Sequence, residues 1–416
     1  MNTVVIIIEN DVFQGGTSEG FYLGRSGDFT IINHFVEIGW NVNLTTPSFL
    51  SENKFFGIKE IQYSTHNVHI KAIFQEYQNI IHNLPPSFGK NEELLGKIVA
   101  TSIEITEISL LISRVMPQSL TDKFLSDFEN LAKISKNTPQ NMQNICLYKD
   151  KVIPYLLQNN AKNIETIYEN YSSKVSQFQK QLLKDYAQIA INTSIVRLEN
   201  TTNIEEELEK IPLPICIKPF NLFGGIGVAV FENYEDSLTH FENINREFEK
   251  YQITEKLILI QEAVKNPEFG DIRVMFSKGK FFGAFKRYEP INKIHNTING
   301  ARIIPICDEN LNFSDTFPQN LHAPFTQATF ALKELFMESD FLKNEFICGC
   351  DLLLDGNFFK LTETNIACPT GFAFLEASLI YIKRGKELAI SEFENYFAEN
   401  PTLINRVISP LALQSL

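Results

Sequence analysis

Residues 351–365 of this 416-residue chain have the sequence DLLLDGNFFKLTETN. The dipeptide Asp355-Gly356 is a strong hairpin signal because Gly adopts the positive φ angle that tight turns require. It predicts antiparallel strands on either side, at Phe346–Leu354 and Phe358–Thr364. A hairpin centred on this dipeptide places Asp351 opposite a residue near position 360.

Carboxylate and amide side chains interrupt these two apolar strands. Glu363 and Asn365 are two residues apart and share one face of the sheet, and Asp351 lies on the neighbouring strand. Three hard oxygen ligands from the protein do not complete a coordination shell. This suits Mg²⁺, which also keeps waters and nucleotide phosphates as ligands. Because an uncompensated carboxylate in an apolar strand is costly, we favour a metal site over carboxylates on a solvated face.

The preceding segment predicts a second hairpin. Strands at Asp271–Phe276 and Phe281–Arg287 pair across Ser277-Lys-Gly-Lys280. Arg273 and Arg287 lie on these strands, and Arg302 follows the next loop. Guanidinium groups near nucleotide phosphates would stabilise charge that develops on a transferring phosphoryl group. The alternative is that these arginines lie on a solvated face of the strands.

Further upstream, a lysine and a glycine-rich turn lie between two predicted strands. The strands are Ile215–Lys218 and Val228–Phe231, and the turn contains Gly224, Gly225 and Gly227. A strand-borne lysine beside exposed backbone N–H groups predicts a phosphate site. An ordinary glycine hairpin with a solvated lysine is an equal alternative, because short glycine patterns are common.

A third predicted strand, Leu257–Ala263, changes abruptly from apolar to polar. Its end, from Gln261 and Glu262 to Val264, could offer main-chain donors and acceptors to a purine edge, with Asp271 near enough to reach a ribose. A core strand that meets a loop is the alternative.

The N-terminal region predicts a parallel, Rossmann-like sheet. Its elements are strand Val4–Ile8, helix Phe29–Ile38, strand Val42–Thr46, strand Ile108–Ser113 and helix Leu120–Ile134. Polar residues between positions 14 and 28 follow the first strand, at the edge where open α/β sheets place ligands. GxGxxG is absent, so nothing supports dinucleotide binding. Helical spacing over residues 152–188 predicts an exposed helical insertion.

Composition excludes several classes of protein. With 44% hydrophobic residues the chain can form a core, so it is not a disordered protein. The net charge of −13 opposes binding to nucleic acid and to membrane surfaces. The six cysteines lack paired spacing, which predicts free thiols rather than disulfides or zinc ligands. A signal peptide and a long apolar run are missing, so we expect a cytoplasmic protein.

Taken in order, these segments resemble an ATP-grasp ligase, and more narrowly the bacterial glutathione synthetase family. The C-terminal motifs are the specific ones: Lys218-Pro219 with Gly224–Gly227, Gln261-Glu262, Gly270–Arg273, and Leu361–Asn365 with Pro369–Gly371. Weaker matches are Ile112–Pro117, Asn137–Gln140 and Asp150-Lys151.

The resemblance implies a fold that combines α/β and α+β parts. It implies an N-terminal Rossmann-like substrate domain at 1–136, a central lid domain at 137–260 with the insertion near 152–188, and a C-terminal ATP-grasp domain at 261–416 that carries the metals. ATP would lie between the lid and the C-terminal domain.

The resemblance also implies a role for each matched residue. Lys151 and Lys218 would hold the ATP phosphates under Gly224, Gly225 and Gly227; Gln261, Glu262 and Val264 would hold adenine; Asp271 would hold the ribose. Asp351, Glu363 and Asn365 would hold two Mg²⁺ ions, with Mn²⁺ as an alternative metal. Arg273, Arg287 and Arg302 would be catalytic, and Arg114, Pro369, Thr370 and Gly371 would bind substrate carboxylates.

The implied reaction joins a carboxylate to an amine through an acyl phosphate, with γ-glutamylcysteine and glycine as the first substrate hypothesis. Family members often form homo-oligomers, so we expect the same here. His295-Asn296-Thr297 stands where the family carries Arg-Gly-Asn, which leaves open a ligase for other amino acids or peptides. A catalytically silent nucleotide-binding or scaffold protein is the alternative from another class.

Overall fold

The computed structural model describes residues 2–9, 13–17, 20–23, 26–61, 96–115, 122–138, 189, 191, 193–198, 201–219, 222, 225–251, 256–288, 302–338, 347–365 and 371–384. Several residues and segments named above lie outside these ranges: Lys151, Gly224, Pro369, Thr370, residues 152–188 and residues 295–297. The predictions for them are not tested by the structure.

The N-terminal region forms a sheet whose described strands lie in the order β2-β3-β6-β5-β4-β1-β7. The strands are β1 (Thr3–Ile7), β2 (Phe13–Thr17), β3 (Gly20–Leu23), β4 (Asn41–Thr45), β5 (Phe55–Ile61), β6 (Gly96–Ile103) and β7 (Leu110–Ser113). The helices are α1 (Ser26–Glu37), α2 (Pro47–Ser51) and α3 (Asp122–Lys133).

This sheet is mixed, which corrects the prediction of a parallel sheet. Strand β1 does pair in parallel with β4 and β7, and Val4 lies opposite Val42 and Leu110. Strands β2, β3, β5 and β6 instead pair antiparallel. The reason is the connection after β4: residues 46–54 are too few for a parallel crossover, which needs roughly a dozen.

The central region forms an antiparallel sheet with its own core. Its strands are β8 (Thr193–Arg197), β9 (Ile215–Pro219), β10 (Ala229–Phe231) and β11 (Leu257–Glu262), in the order β10-β9-β11-β8. Helices α4 (Thr201–Leu208) and α5 (Tyr234–Lys250) accompany it. Ile217 of β9 packs with Phe241 and Ile244 of α5, and the alternation along β9 leaves Lys218 on the less buried face.

The C-terminal region confirms the predicted antiparallel, hairpin-rich architecture, so the protein as described is a mixed α/β structure. Strands β12 (Asp271–Ser277), β13 (Lys280–Tyr288), β14 (Arg302–Asp308), β15 (Cys348–Asp355) and β16 (Phe358–Asn365) lie in the order β14-β13-β12-β15-β16. Helix α6 (His322–Glu338) lies between β14 and β15 in the chain, and helix α7 (Phe372–Arg384) follows β16. None of the helices in the described ranges is long and apolar enough to cross a membrane.

The β15–β16 hairpin differs from the prediction in its register. Asp355 pairs with Phe358, so the turn is formed by Gly356 and Asn357, and Gly356 has a φ of 63°. Gly at the first central position is the pattern of a type II′ turn. A β-bulge then shifts the register, so Asp351 faces Glu363 and not a residue near position 360.

Helix α7 connects the N-terminal and C-terminal sheets. One continuous hydrophobic core contains Val4 and Ile6 of β1, Phe285 of β13, and Leu375 and Leu379 of α7. The helix packs closely on β13 because Gly283 has no side chain there. A Cβ at Gly283 would lie 2.8 Å from the Cys307 carbonyl oxygen and 3.1 Å from Cδ1 of Leu375.

We therefore expect Gly283→Ala to lower the free energy of unfolding by about 3–5 kcal/mol, from backbone strain at φ 136° together with overpacking. Gly356→Ala is the matched control, because Gly356 also has a positive φ but has open space around it. It should cost about 1–2 kcal/mol. Denaturant titration of both variants measures the difference, and equal losses would contradict the packing argument.

Candidate functional site

Four charged side chains on three adjacent strands form what we call the ion-pair cluster: Asp271, Arg273, Arg287 and Asp351. Arg273 donates from Nε to Asp351 Oδ1 at 2.8 Å and from Nη2 to Oδ2 at 2.7 Å. Arg287 donates from Nε to Asp271 Oδ1 at 2.6 Å and from Nη2 to Oδ2 at 2.8 Å. Arg287 Nη2 also lies 2.9 Å from Asp351 Oδ2. The two predicted arginines are therefore paired with carboxylates and are not solvated.

The strand register explains why these four residues meet. Asp271 of β12 lies opposite Arg287 of β13, and Arg273 of β12 lies opposite Asp351 of β15. Residues two apart on β12 share a face, so all four side chains project from the same side of the sheet. Arg273 and Asp351 are only 6% and 5% exposed, which strengthens their attraction.

The two carboxyl groups of the ion-pair cluster have different acidities. Burial raises the pKa of Asp271 to about 6; Arg287 opposes the rise, and the nearby Asp351 carboxylate adds to it. Burial also acts to raise the pKa of Asp351, but Arg273 and Arg287 together outweigh it and hold that pKa below its ordinary value. Asp351 is therefore the carboxylate that stays ionised.

The predicted metal ligands are adjacent. Glu363 lies opposite Asp351 in the register, and Asn365 Nδ2 donates to Asp351 Oδ2 at 3.3 Å. Two carboxylates and an amide are hard oxygen donors that fit Mg²⁺ chemically. The described residues contain no group of three or more His, Cys, Asp or Glu side chains that could hold a metal.

Lys218 connects the central sheet with the strand that carries Glu363. Its Nζ donates to the Thr362 carbonyl oxygen of β16 at 3.5 Å. Thr362 is the extra residue of the β-bulge, and its Oγ1 donates to the Asp351 carbonyl oxygen at 3.1 Å. The bulge thus brings the lysine amine next to the predicted metal ligands.

The glycine-rich segment after β9 forms a tight turn where the structure describes it. Gly225 and Gly227 have φ angles of 77° and 71°, and Val228 N donates to the Gly225 carbonyl oxygen at 3.1 Å. A Cβ at Gly227 would lie 2.6 Å from Cγ of Pro219. Glycine is therefore required for the chain to pass close to the end of β9.

The end of β11 and the linker that follows are attached to the β15–β16 turn. Gln261 is buried, whereas Glu262 and Val264 are half-buried. Lys265 N donates to Asp355 Oδ1 at 3.1 Å, and Gly356 N donates to Asn266 Oδ1 at 2.8 Å. These two hydrogen bonds fix the linker between the predicted purine site and Asp271.

Three other predicted site residues lie apart from the ion-pair cluster. Arg302 pairs with Tyr288, so the register turns it to the opposite face from Arg287. Arg114 follows β7 and is 1% exposed, and its Nε donates to Asp28 Oδ1 at 2.9 Å. Gly371 directly precedes α7, and a Cβ there would lie 2.6 Å from Cζ of Phe285.

Sequence reasoning missed several residues that arrange the site. Asp28 lies in the polar N-terminal segment but gave no sign of its long-range partner. Thr362 appeared as an ordinary strand residue, because a bulge has no local signature. Gly349 also gave no signal: a Cβ there would lie 3.3 Å from Cδ of Arg273, so glycine leaves room for that side chain.

No protein-family model and no curated protein matches the sequence. Solved structures similar to the chain include VanG D-Ala:D-Ser ligase from Enterococcus faecalis, at 10% identity and TM-score 0.49, covering 95% of this chain and 97% of that chain. D-Alanine-D-alanine ligase from Helicobacter pylori is 15% identical with a TM-score of 0.47, covering 96% and 100%. The ADP complex of PurK, N5-carboxyaminoimidazole ribonucleotide synthetase, is 11% identical with a TM-score of 0.47, covering 96% and 78%. These values are too low to carry an argument, so the function is inferred from the contacts of the site.

Asp351→Asn should lower the free energy of unfolding by about 3–5 kcal/mol at pH 7, because it leaves two buried guanidiniums short of a counter-charge. Asp351 has a lowered pKa, so its contribution is present above the ordinary value of 3.8 and is lost as the pH falls below it. The difference in the free energy of unfolding between the variant and the wild type should therefore shrink in acid.

Glu247→Gln, which removes the surface pair with Lys250, is the control and should lower the free energy of unfolding by less than ~1 kcal/mol. Urea titration at several pH values measures both, and equal losses would contradict the buried-pair account.

Proposed function

We propose that the protein is an ATP-dependent carboxylate–amine ligase of the ATP-grasp type, with γ-glutamylcysteine and glycine as the first substrates to test. The observation that carries the proposal is the contact between Lys218 and Thr362. It brings a lysine from the strand before a glycine turn next to Glu363 and Asp351 on two strands of another sheet. A lysine amine beside a glycine turn, together with hard oxygen donors, suits a nucleotide triphosphate.

Described contacts support part of the proposed ATP site. Lys218 and the turn with Gly225 and Gly227 would hold the phosphates, together with Lys151 and Gly224. The fixed linker after β11 supports adenine binding by Gln261, Glu262 and Val264. Asp271 would bind the ribose. Its carboxylate would then have to replace part of its contact with Arg287 by a contact with the ribose.

Asp351, Glu363 and Asn365 would hold Mg²⁺, which when bound would neutralise charge on the phosphates. Arg273 and Arg287 would then lie beside the transferring phosphoryl group and stabilise its developing charge. A role for Arg302 in the chemistry, and roles for Arg114, Pro369, Thr370 and Gly371 in binding substrate carboxylates, stay predictions.

The proposed reaction needs no protein nucleophile. A carboxylate oxygen of the first substrate attacks the γ-phosphorus of ATP, and ADP leaves as the acyl phosphate forms. The amine nitrogen of the second substrate attacks the acyl carbon, phosphate leaves, and the nitrogen loses a proton to give the amide. The buried arginines would supply the positive charge for both steps.

Purified protein with ATP and Mg²⁺ should release ADP when both γ-glutamylcysteine and glycine are present, with formation of a product of glutathione mass. Glu363→Gln should slow release at least ~100-fold, since it removes a carboxylate that would hold the proposed Mg²⁺. Lys280→Gln, at the exposed end of β13, is the matched control and should retain the wild-type rate.

Other outcomes separate the alternatives. ADP release with a different pair of amino acids or peptides would support ligase activity and exclude glutathione as the product. Binding of ATP without ADP release, for every carboxylate and amine pair tried, would favour the silent nucleotide-binding protein. Full activity of Glu363→Gln would contradict the proposed metal site.

A further inference from the structure

Helix α5 holds the glycine turn that follows β9 through a histidine. Nε2 of His240 lies 2.9 Å from the carbonyl oxygen of Gly227. Because a carbonyl oxygen can only accept a hydrogen bond, Nε2 carries the proton and donates it. At the other end of the same peptide group, Val228 N donates to the Gly225 carbonyl oxygen at 3.1 Å. This peptide group therefore cannot rotate without losing a hydrogen bond.

The imidazole of His240 is itself held in place. The side chain is half-buried, and the ring of Phe231 on β10 packs against it with a distance of 5.1 Å between the ring centroids. Ile244 lies four residues further along the same helix and is fully buried, and a Cβ at Gly227 would lie 3.4 Å from its Cγ1. Residues four apart share one face of a helix, so α5 contacts the turn at two successive helical turns.

The composition of the turn makes this anchor important. Gly225 and Gly227 both have positive φ angles, and glycine restricts the backbone less than any other residue. Gly227 also lies against Pro219, the residue after Lys218, so an anchored turn has a fixed position relative to the strand that carries the lysine. A site that is ordered before its ligand arrives loses less freedom on binding and has a higher affinity.

We propose that His240 is a positioning residue for the nucleotide phosphates, because its hydrogen bond to Gly227 orders the turn that would bind them. This inference rests on the proposed function and adds a residue that none of the sequence motifs contains. His240 does not touch the nucleotide in this account, since it acts through Gly227. Loss of its hydrogen bond should therefore weaken the binding of ligands that carry phosphates and leave the binding of adenosine unchanged.

The first test compares two variants of the full chain by calorimetry. His240→Phe keeps a flat ring beside Phe231 and removes the donor, so it should bind β,γ-imido-ATP about 3–10-fold more weakly, as expected for one hydrogen bond. His240→Gln keeps an N–H donor and should recover most of the affinity. Adenosine should bind to the wild type and to both variants equally.

The outcomes separate the inference from the proposed function. Equal affinity of His240→Phe and the wild type for β,γ-imido-ATP would overturn the inference and leave the ATP site intact. An equal loss of adenosine binding, or a failure of His240→Gln to recover affinity, would overturn it as well, because packing and not the hydrogen bond would then matter. If the wild type does not bind β,γ-imido-ATP at all, the proposed function fails too.

The second test measures the wild type, so it does not depend on the folding of His240→Phe. Nitrogen-15 NMR of the histidine rings should show the proton of His240 on Nε2, and β,γ-imido-ATP should shift this signal. His322 is the matched control, because its Nε2 lies 3.2 Å from the Phe317 carbonyl oxygen, outside the proposed ATP site. Its signal should stay unchanged. A proton on Nδ1 of His240, or a His240 signal that the bound nucleotide does not shift, would overturn the inference.

Discussion

The bidentate ion pair between Arg273 and Asp351 is the interaction on which the site depends. It joins the middle strand of the C-terminal sheet to the neighbouring strand, and both side chains are almost fully buried. Charges buried to this degree are tolerated only when they are paired and hydrogen-bonded, so Arg287, Asp271 and Asn365 follow as further partners. The strand register fixes which residues can take part.

Two other segments meet this sheet at defined points. The bulge at Thr362 turns its carbonyl oxygen toward Lys218, and the turn at Gly356 holds the linker after β11 through Asn266. These contacts join the β15–β16 hairpin to the central sheet through Lys218 and to the linker after that sheet through Asn266. The hairpin is therefore the place where the phosphate, purine and metal functions that we propose would come together.

Local chemistry made the hairpins predictable from the sequence. Glycine with positive φ in the Lys278-Gly279 and Gly356 turns determines where the chain reverses, and the apolar runs beside them determine the strands. The mixed pairing of the N-terminal sheet was missed because β2, β3, β5 and β6 were not predicted as strands. The bulge at Thr362 could not be predicted because a bulge has no local signature. The Arg114–Asp28 pair could not be predicted either, because it joins distant segments of the chain. Asp351, Glu363, Asn365 and both cluster arginines were identified from residue type, but the commitment of Asp351 to those arginines follows only from the register.

The central claim is that a nucleotide triphosphate lies between the central and C-terminal sheets. Amide hydrogen exchange of the full chain, with and without β,γ-imido-ATP and Mg²⁺, tests it most directly. The account predicts slower exchange in three segments: the turn at 225–228, the linker at 263–270 and the bulged strand at 361–365. Nucleotide binding that leaves all three unchanged, or that slows exchange in the N-terminal sheet alone, would contradict it.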